Sequence, residues 1–399
     1  MRNIASLFLL LVLPLWMLAQ EETEKKQGYD FTPIKEVKVT SVKNQSRSGT
    51  CWSFATATFV ESELLKMGKP ELDLSEMFVV RKTYEEKADM YVRMHGSSNF
   101  GGGGAVNDVI DVIAKYGMMP EKAYTGLEYG EDIHVHGELD KLLKAYVDAV
   151  VSNPNRKLSS AWKKGFNGIL DAYLGVVPDK FDYNGKLMTP KEFAATYVPI
   201  NPDDYHYFSS FTHHPFYEKF ILEVPDNWTY KRFVNLPLDE LMRVIDNAIN
   251  EGHSISWAAD VSERGFSWKN GLAIVPETDI EEMSGSERLK WEAMTDAERK
   301  KQMFSFETPM PEKAITQEIR QEDFDNYKTT DDHGMQIVGI FKDQNGVKYY
   351  KVKNSWGTDN HKYEGYLFAS ESFVRYKTLS ILVNKNVVPK EIKKKYDNK

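Results

Sequence analysis

The sequence has 399 residues, of which 41% are hydrophobic and 13% are aromatic, so the chain can bury a sizeable core. Lys and Arg number 51 against 59 Asp and Glu, which gives a formal net charge of −8. This balance provides no general basic footprint for nucleic acid, and we expect none as a partner. Cys51 is the single cysteine, so an intramolecular disulfide is excluded.

The first residues of the chain are typical of a secretory signal peptide. Arg2 precedes an apolar run, and the composition becomes charged after Gln20. We interpret residues 1–19 as a signal peptide cleaved near Ala19, which predicts a periplasmic or secreted protein. A retained membrane anchor is the alternative, but the run is short for a span and contains Pro14. No cysteine lies at the cleavage point, so a lipid anchor has no attachment atom.

An N-terminal arm and a helical lobe follow. Residues 20–43 form the arm, which is too short for an independent pro-domain and has a strand pattern at 37–42. Residues 44–118 predict a helical lobe, because apolar residues recur at helical spacing from Cys51 onward after a polar turn. Cys51 is therefore expected at the N-terminus of a helix.

The rest of the chain changes from helical to strand patterns. Residues 119–220 predict a mainly helical insertion with no chemical motif, and residues 221–388 predict a β-rich lobe. Residues 284–303 are highly charged and predict a solvated surface excursion, and 389–399 form a short C-terminal tail. The clearest strand patterns of the β-rich lobe are 254–259, 335–341 and 347–353.

The candidate catalytic residues are a thiol, an imidazole and an amide. A thiol is a useful nucleophile as its thiolate, which a helix N-terminus and a neighbouring imidazolium stabilise, so we expect a lowered pKa at Cys51. His333 directly precedes a strand, and Asn354 ends the returning strand of the same hairpin. An amide at that place can accept a hydrogen bond from the imidazole and determine its tautomer, with Trp356 shielding the bond from water.

Other polar residues suggest two alternative roles, metal binding by histidines and orientation of the imidazole by carboxylates. The pairs His134/His136 and His213/His214 could suggest a metal. Neither pair lies in a His-Glu-x-x-His pattern or with a cysteine cluster, so we expect neither metal nor cofactor. Asp331 and Asp332 could in principle orient His333, although adjacent strand residues point to opposite faces and Asn354 is better placed.

Three segments resemble the papain superfamily of cysteine peptidases. The run Asn44-Gln-Ser-Arg-Ser-Gly-Thr-Cys-Trp-Ser-Phe-Ala is similar to the family's nucleophile segment. Asp332-His-Gly-Met-Gln-Ile-Val-Gly and Lys353-Asn-Ser-Trp-Gly-Thr resemble its histidine and asparagine segments, in the family's order. The resemblance implies an α+β, papain-like two-lobed fold, with a helical lobe, a β-barrel-like lobe and a helical insertion.

The same resemblance implies roles for individual residues. Cys51 would be the nucleophile, His333 the general base and acid, and Asn354 the residue that orients the imidazole. Gln45 would donate a hydrogen bond to the oxyanion. By resemblance, the substrate-binding residues would be Gly103, Gly104 and Trp356.

Three departures from the secreted papain-like enzymes indicate which branch of the superfamily the chain resembles. Ser48 stands where those enzymes carry a disulfide cysteine, His333 lies much farther from Cys51 along the chain, and an inhibitory propeptide is missing. These features resemble the bleomycin hydrolase and aminopeptidase C branch, over residues 30 to 393. That branch implies peptide substrates, aminopeptidase activity and a homo-oligomer, typically a hexamer.

The length of the C-terminal tail leaves the activity open. The tail after residue 388 is shorter than in that branch, where a terminal carboxylate in the cleft meets the substrate's free amine, so an open-cleft endopeptidase is an alternative. A catalytically dead peptide-binding relative and an acyl transferase are alternatives from other classes. The four intact positions Gln45, Cys51, His333 and Asn354 favour hydrolysis.

Overall fold

The computed structural model describes residues 28–278 and 285–397, so the predicted signal peptide lies outside the described residues. The α-helices of this part are α1 (Cys51–Lys66), α2 (Glu76–Arg93), α3 (Asp108–Tyr116), α4 (Gly137–Val151), α5 (Ala161–Leu174), α6 (Pro190–Tyr197), α7 (Leu238–Asn250), α8 (Gly285–Glu292), α9 (Asp296–Met303), α10 (Gln317–Asp325), α11 (Glu371–Lys377) and α12 (Lys390–Asp397). None of them is long and apolar enough to cross a membrane.

The strands are β1 (Phe31–Glu36), β2 (Phe181–Tyr183), β3 (Lys186–Met188), β4 (Tyr205–Ser209), β5 (Lys219–Ile221), β6 (Arg232–Asn235), β7 (Ile255–Ala259), β8 (Phe266–Ser267), β9 (Leu272–Ala273), β10 (His333–Asp343), β11 (Lys348–Lys353), β12 (Tyr366–Ser370) and β13 (Thr378–Asn384). All but the β2–β3 hairpin join one sheet, in the order β5-β6-β4-β13-β7-β10-β11-β12-β9-β8. Strand β1 pairs with the second half of β10, whose first half pairs with β7.

The two faces of this sheet are covered by different helices. On one face, Gln336 of β10 donates hydrogen bonds to Ser62 Oγ of α1 and to Ser254 Oγ, each at 2.8 Å. On the other face, an apolar core joins the sheet to α7 and α12. This core includes Leu241, Ile245, Trp257, Met335, Ile337, Ile392 and Tyr396. Because strand side chains alternate between faces, α1 and α12 lie on opposite sides of the sheet.

The helical lobe is built by α1 to α6 around a second apolar core. It includes Phe59 and Leu64 of α1, Phe78 of α2 and Leu143 of α4. The sequence predicts the nucleophile helix, the helices of the insertion and the β10–β11 hairpin close to their observed bounds. The α+β, papain-like architecture is confirmed by the comparison reported below.

Two sequence predictions are corrected. The strand predicted at 37–42 is wrong, and the strand of the arm is β1, at Phe31–Glu36. The chain leaves the sheet after Val37 because Thr40 turns toward α1, where its hydroxyl donates to Glu61 at 2.5 Å. Residues 205–209 do not belong to a separate helical insertion, since they form β4 and pair with β13 in the main sheet.

The contacts of Gln336 generate a stability prediction. Gln336→Ala removes the two N–H donors that bond Ser62 Oγ and Ser254 Oγ in a buried environment, so we expect a loss of about 2–4 kcal/mol in the free energy of unfolding. Urea denaturation measures it. The matched control is Gln344→Ala, which removes an exposed glutamine from the β10–β11 hairpin and should cost less than about 1 kcal/mol. Equal losses in the two variants would contradict this account.

Candidate active site

Helix α1 presents its N-terminus to the cleft. Thr50 is the N-cap residue, but its side chain does not cap the helix and instead contacts Ser48 Oγ at 2.5 Å. The first backbone N–H groups of α1 are therefore without a side-chain cap, at the positive end of the helix dipole. Cys51, the first residue of α1, is a free and partly buried cysteine.

A glycine lets strand β10 approach this helix end closely. A Cβ added to Gly334 would lie 3.1 Å from Trp52 Cα and 3.3 Å from the Cys51 carbonyl carbon, which is tighter than ordinary van der Waals contact. Gly334 directly follows His333, the first residue of β10. The close packing therefore places the imidazole segment beside the cysteine, as the sequence predicts.

His333 is oriented by an amide and covered by an indole. Its Nε2 lies 2.8 Å from Asn354 Oδ1, which also accepts the Ser355 backbone N–H at 2.8 Å. Because a backbone N–H only donates, the acceptor must be the amide oxygen, and the imidazole carries its hydrogen on Nε2. The lone pair is then on Nδ1. The Trp356 ring lies over the imidazole, with 4.6 Å between ring centroids.

Gln45 is held in one amide orientation. Its Nε2 donates to the Ser48 carbonyl at 2.8 Å, and its Oε1 accepts from Ser355 Oγ at 2.6 Å. Since a carbonyl only accepts, the nitrogen is assigned without ambiguity, and its second N–H is left for another acceptor. Gln45 is buried, and its backbone N–H bonds the Ser355 carbonyl at 2.8 Å, next to Asn354.

The glycine segment forms a wall beside α1. Trp52 Nε1 donates to the Gly102 carbonyl at 3.0 Å, and Lys87 Nζ donates to the Gly103 carbonyl. A Cβ on Gly104 would lie 2.7 Å from the Trp52 ring, and a Cβ on Gly103 would overlap the carboxylate of Asp226. Both glycines are thus required by close packing. Their contact with substrate stays a prediction.

Burial dominates the electrostatics of the pair. It raises the pKa of the Cys51 thiol to about 12, and the charges of Asp226 and Asp331 raise it further, while the backbone N–H groups of Gly334 and Trp52 oppose the rise. Burial also lowers the pKa of His333 to about 4. The structure therefore favours a neutral thiol and a neutral imidazole. The lowered thiol pKa expected from the helix N-terminus is wrong here, because burial raises the pKa more than the backbone N–H groups lower it.

Asp226 is a residue that sequence reasoning missed. It lies far from every recognisable motif, and only the fold brings it to Gly103 and Cys51. Asp332 does not orient the imidazole, because its carboxylate accepts the backbone N–H groups of Val261 and Ser262 at 2.9 and 3.2 Å.

One group in the described ranges has metal-ligand geometry, formed by His213, His214 and Glu223. Both imidazole Nε2 atoms bond the Glu223 carboxylate, at 3.0 and 2.7 Å. Gln321 donates to His213 Nδ1 at 3.0 Å, so the hydrogen of neutral His213 lies on Nε2, the atom that would have to bind the metal. Hydrogen bonding thus accounts for this group. His134 and His136 are buried, and burial lowers the pKa of each to about 4.

Two family models match the chain. The papain family cysteine protease model matches residues 26–163, and the peptidase C1-like family model matches residues 285–399. The first match contains Gln45 and Cys51, and the second contains His333 and Asn354. A thiol, an imidazole and an amide in this arrangement define a cysteine peptidase of the papain class.

Similar proteins agree with this class. Aminopeptidase C of Streptococcus thermophilus is 22% identical over 93% of this chain and 86% of its own length. Aminopeptidase W of Lactobacillus delbrueckii is 23% identical, over 90% and 84% of the two chains. The crystal structure of PepW from Lactobacillus rhamnosis shares the fold, with a TM-score of 0.70 and 20% identity over 92% and 85% of the two chains. The chain belongs to the papain superfamily, in the branch that contains the aminopeptidase C proteins.

The geometry of Gln45 generates a kinetic prediction. Gln45→Ala removes a candidate oxyanion donor, so we expect kcat to fall by roughly 10²- to 10³-fold with a much smaller change in KM. Steady-state hydrolysis of a fluorogenic peptide measures both constants. Ser355→Ala is the matched comparison: it removes only the hydroxyl that bonds Gln45 Oε1, so the loss should be smaller. An unchanged kcat in Gln45→Ala would exclude it as an oxyanion donor.

Proposed function

We propose that the protein is a cysteine aminopeptidase, which removes N-terminal residues from peptides through an acyl-enzyme on Cys51. The observation that carries the peptidase chemistry is the His333 Nε2–Asn354 Oδ1 hydrogen bond, since it leaves Nδ1 free to take a proton beside the N-terminus of α1. The similarity to proteins named aminopeptidase C, over about nine-tenths of the chain, supports the exopeptidase activity.

The proposed reaction begins from a neutral thiol. His333 Nδ1 takes the Sγ proton as the sulfur attacks the scissile carbonyl, because the pKa values of both groups favour their neutral forms beforehand. The oxyanion accepts hydrogen bonds from the Cys51 backbone N–H and from Gln45 Nε2. His333 then protonates the leaving amine, and it later activates the water that releases the acyl group. Asn354 holds the ring through both steps.

An endopeptidase is the second candidate, and one observation favours it. Helix α12 packs on the face of the sheet opposite α1, with Tyr396 beside His206 and Phe208 of β4. Residues 390–397 therefore do not fill the cleft at Cys51. A cleft that the tail leaves open can admit a peptide chain on both sides of the scissile bond.

Paired substrates separate the two candidates. We expect a fluorogenic dipeptide with a free N-terminus to be cleaved with a far higher kcat/KM than its N-acetylated twin. Equal cleavage of the two would reject the aminopeptidase and favour the endopeptidase. Cys51→Ala is the control, and turnover of either substrate by this variant would refute the nucleophile. Absence of turnover in the parent protein, together with no labelling of Cys51 by an epoxide inhibitor of papain-like enzymes, would favour a peptide-binding relative.

We also propose export across the cytoplasmic membrane and assembly into a homo-oligomer. The signal-like pattern of residues 1–19 supports export, and resemblance to the aminopeptidase C branch supports assembly. Expression of the full chain should yield mature protein that begins near Gln20 and is found outside the cytoplasm, as N-terminal sequencing of cell fractions would show. An uncleaved cytoplasmic product would contradict export, and a monomeric mass in light scattering would contradict assembly.

A further inference from the structure

A rigid loop holds Asp226 in the wall of the cleft. The loop is braced by Asn227, whose Nδ2 donates to the carbonyls of Leu222 and Lys231, each at 3.0 Å. The neighbouring Trp228 donates its Nε1–H to Asp108 at 2.8 Å. Asp226 itself is half-buried and occupies the space that a side chain on Gly103 would need. A carboxylate is thus built into the wall that the active-site glycines form.

A second carboxylate acts on the same sulfur, and it belongs to the segment that carries the catalytic histidine. Asp331 lies two residues before His333 and is partly buried. The charges of Asp226 and Asp331 act on the Cys51 thiol and on each other. Both acidic groups therefore act on the nucleophile.

Neither carboxylate is paired with a cation of the described chain. Asp331 has no hydrogen bond or ion pair with residues 28–278 or 285–397. Asp226 receives one long hydrogen bond, from Asn99 Nδ2 at 3.3 Å. Lys87 exerts a charge on Asp226, but its Nζ is bonded to the carbonyls of Gly101 and Gly103. Burial raises the pKa of both carboxyls, that of Asp331 to about 8, and a cationic ligand between them would stabilise their ionised forms.

We propose that Asp226, together with Asp331, binds the α-ammonium group of the substrate's N-terminal residue and so determines the preference for free amino termini. This inference rests on the proposed aminopeptidase activity and identifies the residues that would select its substrates. In such a substrate the ammonium nitrogen is about 2.5 Å from the scissile carbonyl carbon, across a single Cα. A group that binds it must therefore lie near the catalytic pair, and Asp226 lies against the Gly103 wall of the cleft while Asp331 is two residues before His333. The ammonium of a lysine side chain would lie farther from the scissile bond.

Helix α12 does not supply a carboxylate to the cleft. Helix α12 carries residues 390–397 to the opposite side of the sheet, so no carboxylate of this segment reaches the cleft. Binding of an ammonium would also offset the two negative charges that disfavour a thiolate at Cys51. A substrate with a free amino terminus would thus promote its own attack, whereas an acetylated one would not.

Asp226→Asn tests the proposal, because it removes the charge with almost no change in shape. We expect kcat/KM for the free-amine dipeptide to fall by roughly 10- to 100-fold, with little change for the N-acetylated twin. Asp331→Asn should shift the same ratio in the same direction. The matched control is Asp179→Asn, which removes an equal charge from an exposed position of the helical lobe and should leave the ratio unchanged.

A second measurement shows whether the Asp226→Asn variant keeps an intact active site. Iodoacetamide should alkylate Cys51 in Asp226→Asn at least as fast as in the parent protein, since a charge that disfavours the thiolate has been removed. In the Cys51→Ala background, calorimetry should show weaker binding of a free-amine tripeptide after Asp226→Asn and unchanged binding of its acetylated twin.

The outcomes distinguish the two proposals. If the parent protein shows no preference for the free amine, the aminopeptidase activity fails, and the inference fails with it. If the parent prefers the free amine and both Asp→Asn variants keep that preference, the ammonium-binding role alone is overturned. An equal loss of both substrates with intact alkylation also overturns it. Preference for an acetylated peptide with a basic side chain before the scissile residue would assign the carboxylates to side-chain recognition instead.

Discussion

The contact between Gly334 and the first turn of α1 determines the site. It lets β10 meet the helix end more closely than ordinary contacts of a side chain allow, and it thereby brings His333 to Cys51. Two side chains of the β-rich lobe support the contact. Gln336 bonds α1 from the middle of β10, and Lys353 at the end of β11 donates to Thr40 and Thr58. Cys51 and His333 are thus held by a helix and a strand, and Asn354 directly follows β11.

The local features of this arrangement could be predicted from the sequence. Helical periodicity after Cys51, the hairpin between β10 and β11, and the placement of His333 and Asn354 at its ends all depend on neighbours along the chain. Long-range packing could not be predicted in the same way. The strand expected at 37–42 has a suitable pattern, but Thr40 is drawn to Glu61 of α1, and β1 forms earlier in the arm. Residues 205–209 pair with β13, which follows far along the chain.

Electrostatics were the least predictable property of the site. A helix N-terminus and an adjacent imidazole suggest a thiolate, yet burial favours neutral forms of both Cys51 and His333. Whether the pKa of Cys51 is raised or lowered depends on desolvation and on the charges of Asp226 and Asp331. Only the folded chain brings these groups together near the sulfur. Asp226 is absent from every motif because it belongs to a loop between β5 and β6, remote in sequence from both catalytic segments. In our proposal, the activation of this nucleophile depends on the charge of its substrate.

The most direct test of this account is a crystal structure of the alkylated protein. The alkylating agent is an amino-acid chloromethyl ketone with a free α-amino group, which reacts with Cys51. The account predicts a bond from Sγ to the inhibitor, with its oxygen near Gln45 Nε2 and its ammonium within hydrogen-bond distance of the Asp226 or Asp331 carboxylate. Alkylation of another residue, or an ammonium that points to solvent away from both carboxylates, would contradict it.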